Sequence, residues 1–504
     1  MIDGHRAARQ SIGSMIATFL ARRGFDISSF GGMLAVLGYP LSVSLSQGGL
    51  FLALLGWVLH AIGHRLLARS TERYEHVHPN VPELLRWTHH PVLYAAVGIY
   101  AMLLLSLLLT AAVSSDFSTT VRNGLGMEIK DGGLLLAAFW ALAFARHPLG
   151  RERLEKWIRI SIILLLVTGF ASIWSRYRLS KIPELIANDW QVGPDVRYQH
   201  HLGTFFAGSP YQVHFYMPIG LMNTHLTYAG LLMLAFPYLL LRVVDPFVRA
   251  PRALLKPTMI VPLLSLALLL ILMVLNNGRS ALLGMGVAAL VGMYFFIRHY
   301  WKWKVVRLLP ILGVALLSFG VLVHFSDSMH YRFARIMNAL TGESKHTDHQ
   351  RTLVWNGTFE LIQAHPFIGV GAGNFEKNII QHVGTFGQEH PRLWIPYALA
   401  QRGHAHSDIF HLFAIGGPLS AGFYLLFFGL LMYHLTDAGG LNRNGYLRWA
   451  PIGMLFAGLL QCYFQDDEVL LPFWIYTGLI LGGIRNHTSA SETMNDKSDM
   501  GPAD

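Results

Sequence analysis

Long apolar segments recur along this sequence, and they constrain its fold more than any other feature. Runs such as Pro91–Val113, Ile158–Trp174 and Val261–Leu275 contain almost no charged residues. A helix of about 20 such residues crosses the roughly 30 Å hydrocarbon core of a bilayer. Charged residues make up only 13% of the chain, compared with about 25% in a soluble domain. The sequence therefore predicts an all-α, polytopic transmembrane helix bundle.

The apolar segments divide the chain into about twelve spans. Their approximate bounds are Phe30–Leu45, Gly48–Leu67, Pro91–Val113, Gly133–Ala145, Ile158–Ser175, Pro218–Arg242, Val261–Leu275, Ser280–Ile297, Leu308–His324, Ser407–His434, Pro451–Phe464 and Leu470–Ile484. Five regions follow from these bounds. They are a cytoplasmic N-terminal segment 1–29, spans one to nine in 30–324, a large helical periplasmic loop 325–406, spans ten to twelve in 407–485, and a disordered cytoplasmic tail 486–504.

The basic residues predict the orientation of the bundle. Lys and Arg accumulate in cytoplasmic connections, and in this chain they cluster in alternate connections, as at Arg146–Lys156 and Arg298–Arg307. The last connection between spans, at Asp466–Glu468, is acidic. We therefore expect the N- and C-termini to lie in the cytoplasm.

Charge and cysteine content exclude other classes of protein. The formal charge is +10, but the basic residues are spread among the connections and do not form the patch that nucleic-acid binding favours. We expect no nucleic-acid partner. The single cysteine, Cys462, excludes an intrachain disulfide and disfavours a cysteine metal site. We interpret Cys462 as a small packing residue.

Two arginines lie where an anion could bind. Arg279 follows the polar hairpin Asn276–Gly278 and begins a span, so the unpaired N–H groups of a helix N-terminus would lie beside it. An arginine that extends to the lipid headgroups is an equally good interpretation of this position. Arg351 opens a helical-looking stretch of the long loop, and its planar guanidinium suits phosphate oxygens. A solvated surface arginine is the alternative there.

Two further stretches of the loop contain candidate functional residues. Gly369–Gly373 has a Gly-x-Gly-x-Gly pattern but lacks the strand-to-helix context of a dinucleotide site, so we interpret it as a structural turn. The stretch Arg402–Asp408 contains His404 and His406. A histidine at the water boundary can exchange a proton near neutral pH, although a single histidine is more often structural. The spacing of these two does not match a helical zinc site, so no metal is expected.

Four motifs together resemble the O-antigen ligase and O-antigen polymerase superfamily of bacterial envelope enzymes. In that family the span after the long loop begins with His, then Asn or Ser, and has two glycines further along. Here His406-Ser407 is followed by Gly417, whereas the second glycine is replaced by Ser420 or displaced to Gly422. The other matches, in chain order, are Pro218–Gly230, Asn277–Ser280, and Arg351 and Trp355 followed by His365–Gly371.

The resemblance implies a metal-independent glycosyltransferase of the bacterial inner membrane that uses no cofactor. Its donor would be a glycan on undecaprenyl pyrophosphate, transferred at the periplasmic face with inversion of the anomeric centre. In an O-antigen ligase the acceptor is a sugar of the lipid A core, and we favour this branch. In a polymerase the acceptor is a second lipid-linked repeat, and in a protein O-oligosaccharyltransferase it is a Ser or Thr of a protein.

The resemblance also implies roles for individual residues. Arg279 and Arg351 would bind the pyrophosphate and replace the metal ion of many soluble glycosyltransferases. His406 would act as the general base or orient the acceptor. The residues Arg402, His404 and His225 would help to bind the substrates, and membrane lipids would surround the bundle.

A transporter or lipid flippase is the alternative from another class of protein. It would place charged residues near mid-membrane or break helices at matching places in two halves of the chain. In this sequence the candidate residues gather at one face, and most predicted spans have no charge at their centres. A structural scaffold would explain the helices but not the convergence of arginines and a histidine.

Overall fold

A computed structural model describes residues 2–70, 90–187, 198–206, 208–249, 256–301, 347–380, 403–437 and 449–483. This part of the chain is almost entirely helical, which confirms the predicted all-α class. The predicted span Leu308–His324 and the predicted tail 486–504 lie outside the described residues.

The helices follow the predicted apolar segments. In chain order they are α1 (Ile2–Gly38), α2 (Val43–Ser70), α3 (Pro91–Ala112), α4 (Phe117–Gly124), α5 (Leu136–Arg146), α6 (Pro148–Ile173), α7 (Ile182–Ala187), α8 (His225–Arg249), α9 (Ile260–Asn276), α10 (Arg279–Trp301), α11 (Thr347–Ala364), α12 (Asp408–Asp437), α13 (Ala450–Gly458) and α14 (Asp467–Gly483). A π-helical turn, Leu125–Ile129, and a 3₁₀ turn, Gly132–Leu135, connect α4 to α5. Short 3₁₀ turns also precede α7 and α9, at Leu179–Lys181 and Pro257–Met259.

Six helical segments of the described residues are long and apolar enough to cross a membrane. They are Val43–Leu67, Pro91–Ala112, Leu149–Ile173, His225–Val244, Pro257–Asn276 and Asp408–Leu435. On α3, Leu103 and Leu107 are buried, whereas Leu104, Leu105 and Leu108 are exposed. Contiguous exposed apolar surface of this kind suits lipid tails and would be costly in water. The chain is therefore a multi-pass membrane protein.

Aromatic side chains fill the core of the bundle. Trp140 on α5, Phe427 on α12 and Trp474 on α14 are fully buried, and the rings of Phe427 and Trp474 lie 5.3 Å apart. Each such side chain buries about 150–250 Å². Cys462 is also buried and has no disulfide partner, in agreement with its predicted packing role.

Glycines with a seven-residue spacing bring the backbones of α1 and α2 into contact. They are Gly24, Gly31 and Gly38 on α1 and Gly49, Gly56 and Gly63 on α2. A Cβ atom at Gly31 would overlap the backbone of Ala53, and one at Gly49 would overlap the backbone of Ala35. Small residues allow this close approach of membrane helices, which gains van der Waals contact. The two helices therefore form one tightly packed pair.

The turn between α1 and α2 lies at residues 39–42, earlier than the sequence predicted. We expected it between Leu45 and Gly48, and this boundary was wrong. Pro40 explains the difference because it lacks a backbone N–H and disfavours a helical conformation in the residue before it. Ser46, in contrast, is helical and buries its hydroxyl group against a carbonyl oxygen of α1 at 2.7 Å.

A single hairpin departs from the all-α expectation among the described residues. Strands β1 (His201–Phe205) and β2 (Val213–Tyr216) pair antiparallel in the connection before α8. The rings of Phe205 and Phe215 stack across the pair with centroids 4.8 Å apart. Cross-strand aromatic pairs of this kind stabilise an otherwise marginal hairpin.

The tenth predicted span, α12, is broken in its interior. Gly417 adopts φ 71° and ψ −174°, and Pro418 follows it. Because Pro418 has no N–H, the carbonyl group of Ala414 loses its helical partner. The loop glycines replace it: the N–H of Val370 donates to Ala414 O at 2.8 Å, and the N–H of Gly371 donates to the next carbonyl oxygen at 3.1 Å. The loop is therefore fixed to the span by backbone hydrogen bonds.

The Gly-x-Gly-x-Gly run is the structural turn that the sequence indicated. Gly369, Gly371 and Gly373 all have φ between 74° and 85°, a region that glycine alone enters readily. A Cβ atom at Gly373 would also lie 2.6 Å from the backbone at the end of α4. In the family motif of α12, the position of the second glycine is held by the fully buried Ser420, whereas Gly422 has open space around it.

We predict that Gly49→Ala lowers the stability of the protein. Its new Cβ would force α1 and α2 apart, and overpacking of this kind costs about 1–3 kcal/mol. The adjacent Gly48→Ala is a matched control because nothing lies within 4 Å of the added methyl group. Thermal unfolding of the purified protein in detergent should give a lower Tm for Gly49→Ala than for Gly48→Ala. Equal Tm values would contradict the close approach of the two helices.

Candidate functional site

The connection between α13 and α14, residues 459–466, contacts several helix starts at one end of the bundle. Its contacts are Gln461 Oε1 to His406 Nδ1 at 3.4 Å, Tyr463 OH to Ser280 Oγ at 3.2 Å, Phe464 N–H to Asp408 Oδ1 at 2.9 Å, Gln465 Nε2 to Glu128 Oε1 at 3.2 Å and Thr227 Oγ1 to Asp466 Oδ2 at 2.6 Å. The 459–466 connection therefore brings the starts of α8, α10 and α12 together. Three of the predicted site residues lie on or beside these helix starts.

Arg279 begins α10 after a tight hairpin. Asn277 ends α9 in the left-handed conformation with φ 59°, and the buried Asn276 donates from Nδ2 to the carbonyl oxygen of Pro218 at 2.7 Å. Ser280, the next residue, contacts the 459–466 connection. Arg279 is half-buried at this position. Arg279 therefore adds a positive charge at a helix start, where an anion is stabilised.

His225 begins α8 at the same end of the bundle and is half-buried. Thr227, in the same turn, donates to the carboxylate of Asp466. Ala229, one turn after His225, lies against the hairpin before α10, since a Cβ atom at Gly278 would overlap the Ala229 methyl group. The first turn of α8 thus lies between the Arg279 hairpin and the 459–466 connection.

His406 lies immediately before α12 in a strained, buried conformation. Its exposed fraction is 8%, and its φ of 50° costs a non-glycine residue about 1–2 kcal/mol. The ring of His404 packs against its ring with centroids 4.5 Å apart. Because the amide oxygen of Gln461 faces Nδ1, Nδ1 carries the proton in the neutral ring and Nε2 is the basic nitrogen.

Arg351 belongs to α11, which packs against the start of α12. The rings of Trp355 and Phe410 lie 6.1 Å apart, and Val354 is buried. This helix confirms the helical stretch that we expected in the long loop, and it places the backbone of Arg351 one turn before Trp355. The side chain of Arg351 and the whole of Arg402 lie outside the described residues.

A buried polar cluster lies beside these residues, and the sequence did not reveal it. Glu128 Oε1 is 3.5 Å from His411 Nε2, and Gln465 contacts both side chains. Asp408 accepts hydrogen bonds from Tyr424 OH at 3.2 Å and from the 459–466 connection. The only signal in the sequence was the pair Asp408 and His411, three residues apart in an apolar span. Glu128 lies between spans and gave no signal.

Three carboxyl groups near this cluster hold their protons more tightly than usual. Burial, reinforced by the charges of Asp467 and Glu128, raises the pKa of Asp131 to about 7. Burial likewise raises the pKa of Asp466 to about 6 and that of Glu468 to about 7, and neighbouring carboxylates add to both shifts. These groups are therefore partly protonated near neutral pH. A protonated carboxyl group can donate a hydrogen bond and does not repel an anion.

One end of the bundle thus combines a cation at a helix start, a buried imidazole and carboxyl groups of reduced charge. Arg279 can neutralise an anion, and His406 can take up a proton. Among the described residues, no group of three or more His, Cys, Asp and Glu is arranged to hold a metal ion. The arrangement suits a reaction in which an anionic group leaves and a hydroxyl group loses its proton.

One known family is similar to part of this chain. Residues 264–425 match the family model described as O-antigen ligase. This match, over about a third of the chain, supports an assignment to the O-antigen ligase and polymerase superfamily. It confirms the resemblance found in the sequence motifs. No curated protein matches the chain.

The matched region contains part of the candidate site. It includes Arg279, Arg351 and His406, whereas Glu128 and the 459–466 connection lie outside it. The superfamily supports glycosyl transfer of the O-antigen ligase or polymerase kind, with lipid-linked glycans as substrates in a membrane.

We predict that the ionisation of Asp131 lowers the stability of the protein as the pH rises from about 4 to about 7. Asp131 keeps its proton up to a pH of about 7 in the folded protein but loses it near pH 4 when unfolded, so the folded state binds more protons across this window. Asp131→Asn removes the ionisable group and with it this loss of stability. The Tm difference between pH 5 and pH 8 should therefore be smaller in Asp131→Asn than in the parent protein.

The exposed Asp26 on α1 provides a control of the same chemistry. Asp26→Asn should leave the pH dependence of Tm as it is in the parent protein. If Asp131→Asn and Asp26→Asn change the pH dependence of Tm equally, the proton on Asp131 does not account for that dependence.

Proposed function

We propose that this protein transfers a glycan from undecaprenyl pyrophosphate to a sugar of the lipid A core, without a metal ion, at the periplasmic face of the bacterial inner membrane. One observation carries the proposal: Ser280, which directly follows Arg279, and His406, from a helix far away in sequence, both contact the 459–466 connection. The family match across both residues supports it.

The orientation expected from the basic residues agrees with this placement. With the N-terminus in the cytoplasm, the segments before α8, before α10 and before α12 all lie on the outer side. The 459–466 connection lies on that side as well. Contacts among these same segments support a common location at one end of the bundle, and in this orientation the proposed site would open to the periplasm.

The donor already has a good leaving group, so the enzyme must mainly place the acceptor and neutralise charge. In the proposed reaction, the acceptor oxygen bonds to the anomeric carbon of the glycan while the bond from that carbon to the phosphate oxygen breaks. The acceptor proton passes to Nε2 of His406, and undecaprenyl pyrophosphate leaves. A single displacement of this kind inverts the anomeric centre.

Arg279 would stabilise the departing pyrophosphate with its forked N–H groups and the start of α10. Arg351, on α11, would supply a second cation. His404 and His225 would line the site, and Arg402 would assist from the preceding loop. The raised pKa values of Asp131, Asp466 and Glu468 reduce the negative charge that the diphosphate meets.

The test supplies purified protein with a lipid-pyrophosphate glycan and, in separate reactions, with three acceptors. These are lipid A core, a second lipid-linked repeat and a Ser/Thr peptide. We expect product with lipid A core alone. Product from the second repeat would make the protein a polymerase, and product from the peptide would make it a protein glycosyltransferase. Glycan movement across the membrane without transfer to any acceptor would contradict the enzyme itself.

We predict distinct effects of two substitutions in the same assay. His406→Ala should abolish turnover and leave donor binding intact, because His406 acts on the acceptor. Arg279→Ala should lower kcat/KM by a factor of about 10² to 10³, which corresponds to about 3–4 kcal/mol of transition-state stabilisation. Arg279→Lys should restore only part of this, since an ammonium group lacks the forked geometry of a guanidinium.

Arg151→Ala is the matched control for the loss of an arginine. Arg151 pairs with Glu155 on a partly exposed face of α6 at 3.4 Å, and such pairs contribute little to stability. Transfer by Arg151→Ala should equal that of the parent protein. Parent-level transfer by folded Arg279→Ala or His406→Ala would refute the assignment of that residue.

A further inference from the structure

Glu128 carries a buried carboxylate that the proposed reaction does not use. It lies in the π-helical turn Leu125–Ile129 with an exposed fraction of 7%. Its Oε2 accepts the N–H of Gly373 at 2.6 Å, and its Oε1 accepts from Gln465 Nε2 at 3.2 Å. His411 Nε2 lies 3.5 Å from the same Oε1. One carboxylate thus connects the glycine loop, the 459–466 connection and α12.

A buried carboxylate is costly unless hydrogen bonds and charge compensate for its desolvation. Here they do so. Burial acts to raise the pKa of Glu128, but the hydrogen bonds from His411 and from the N–H of Gly373 hold that pKa below its usual value. Glu128 is therefore an anion in the folded protein, and it needs its donors in place.

His411 is oriented from both sides of its ring. Its exposed fraction is 1%, and its Nδ1 accepts the backbone N–H of Ala405 at 3.3 Å. In the neutral ring the proton is therefore on Nε2, which faces both the Glu128 carboxylate and the side-chain amide of Gln465. The ring of Phe375 packs against it with centroids 4.7 Å apart. His411 thus joins the Glu128 carboxylate to the backbone of Ala405.

Ala405 directly precedes His406, whose left-handed backbone requires support from its surroundings. Two paths lead to His406 from Glu128. One passes through His411 to the N–H of Ala405. The other passes through Gln465, on the same connection as Gln461, which contacts the His406 imidazole.

We propose that Glu128 and His411 form a positioning pair that fixes the backbone at Ala405 and His406, and thereby aims the His406 imidazole at the acceptor hydroxyl. This inference rests on the proposed function. Neither residue touches the substrate. Because the pair acts on the base and not on the Arg279 side of the site, it governs the rate of transfer and leaves donor affinity unchanged.

Two substitutions of His411 test the contact with Ala405, because one keeps a hydrogen-bond acceptor and the other does not. His411→Asn keeps a side-chain acceptor near the position of Nδ1, whereas His411→Leu has a similar volume and no acceptor. Misplacement of a reacting group by about 1 Å can cost a factor of about 100 in rate. We expect His411→Leu to lower kcat about 100-fold and His411→Asn to lower it less than about tenfold, with the donor KM unchanged in both.

Glu128→Gln tests the other half of the pair. An amide has one acceptor oxygen, so it cannot serve Gly373 and the donors at Oε1 together. We expect kcat to fall about 10- to 100-fold. In the double variant Glu128→Gln/His411→Leu, kcat should equal that of the less active single variant. The two losses of kcat should not multiply, because the residues act as a unit. Glu155→Gln, at the partly exposed ion pair of α6, is the control and should transfer at the parent rate.

All variants are measured in the full chain, with Tm as the check on folding. Equal kcat for His411→Asn and His411→Leu, multiplying losses in the double variant, or a raised donor KM at parent kcat would each overturn the pairing. If Glu128→Gln does not yield folded protein, the two His411 variants decide the matter alone. If the parent protein transfers glycan and the variants do so at the parent rate, only this inference is overturned. A parent protein that transfers to no acceptor would overturn the proposed function and this inference together.

Discussion

Non-helical chain at the end of a membrane bundle must have its polar groups paired by the protein or by water. The 459–466 connection meets this requirement by bonding to side chains from the starts of three helices and from the turn that carries Glu128. Apolar faces cannot specify such an arrangement, because lipid tails and the bundle core are equally apolar. The hydrogen bonds at this end therefore determine which helix starts meet, and the candidate site depends on them.

The same requirement explains how the long loop is attached. Pro418 leaves the carbonyl group of Ala414 without a helical partner, and the glycine loop supplies backbone N–H groups to α12 at the break. Gly373, at the end of that loop, then donates to Glu128. A helix break, a glycine turn and a buried carboxylate are thus one structural unit beside His406. The close packing of α1 and α2 at their glycines is independent of this unit and depends on van der Waals contact alone.

Hydropathy predicted the helical membrane class well, because the length of an apolar run is a local property of the sequence. It placed the first turn wrongly, since Pro40 outweighs the apolar pattern around it. The motifs singled out Arg279 and His406 because both sit at span boundaries with polar neighbours. They gave no indication of Glu128 or Gln465, whose side chains meet across 337 positions of sequence. A lone acidic residue between spans has no periodicity or spacing that would reveal such a partner.

A structure of the full chain in a lipid bilayer disc with a lipid-pyrophosphate glycan bound tests the account most directly. The account predicts that the diphosphate lies within hydrogen-bond distance of the Arg279 guanidinium group, with the anomeric carbon of the first sugar facing His406. Diphosphate bound at the opposite end of the bundle, or in a cavity that neither side chain reaches, would contradict it.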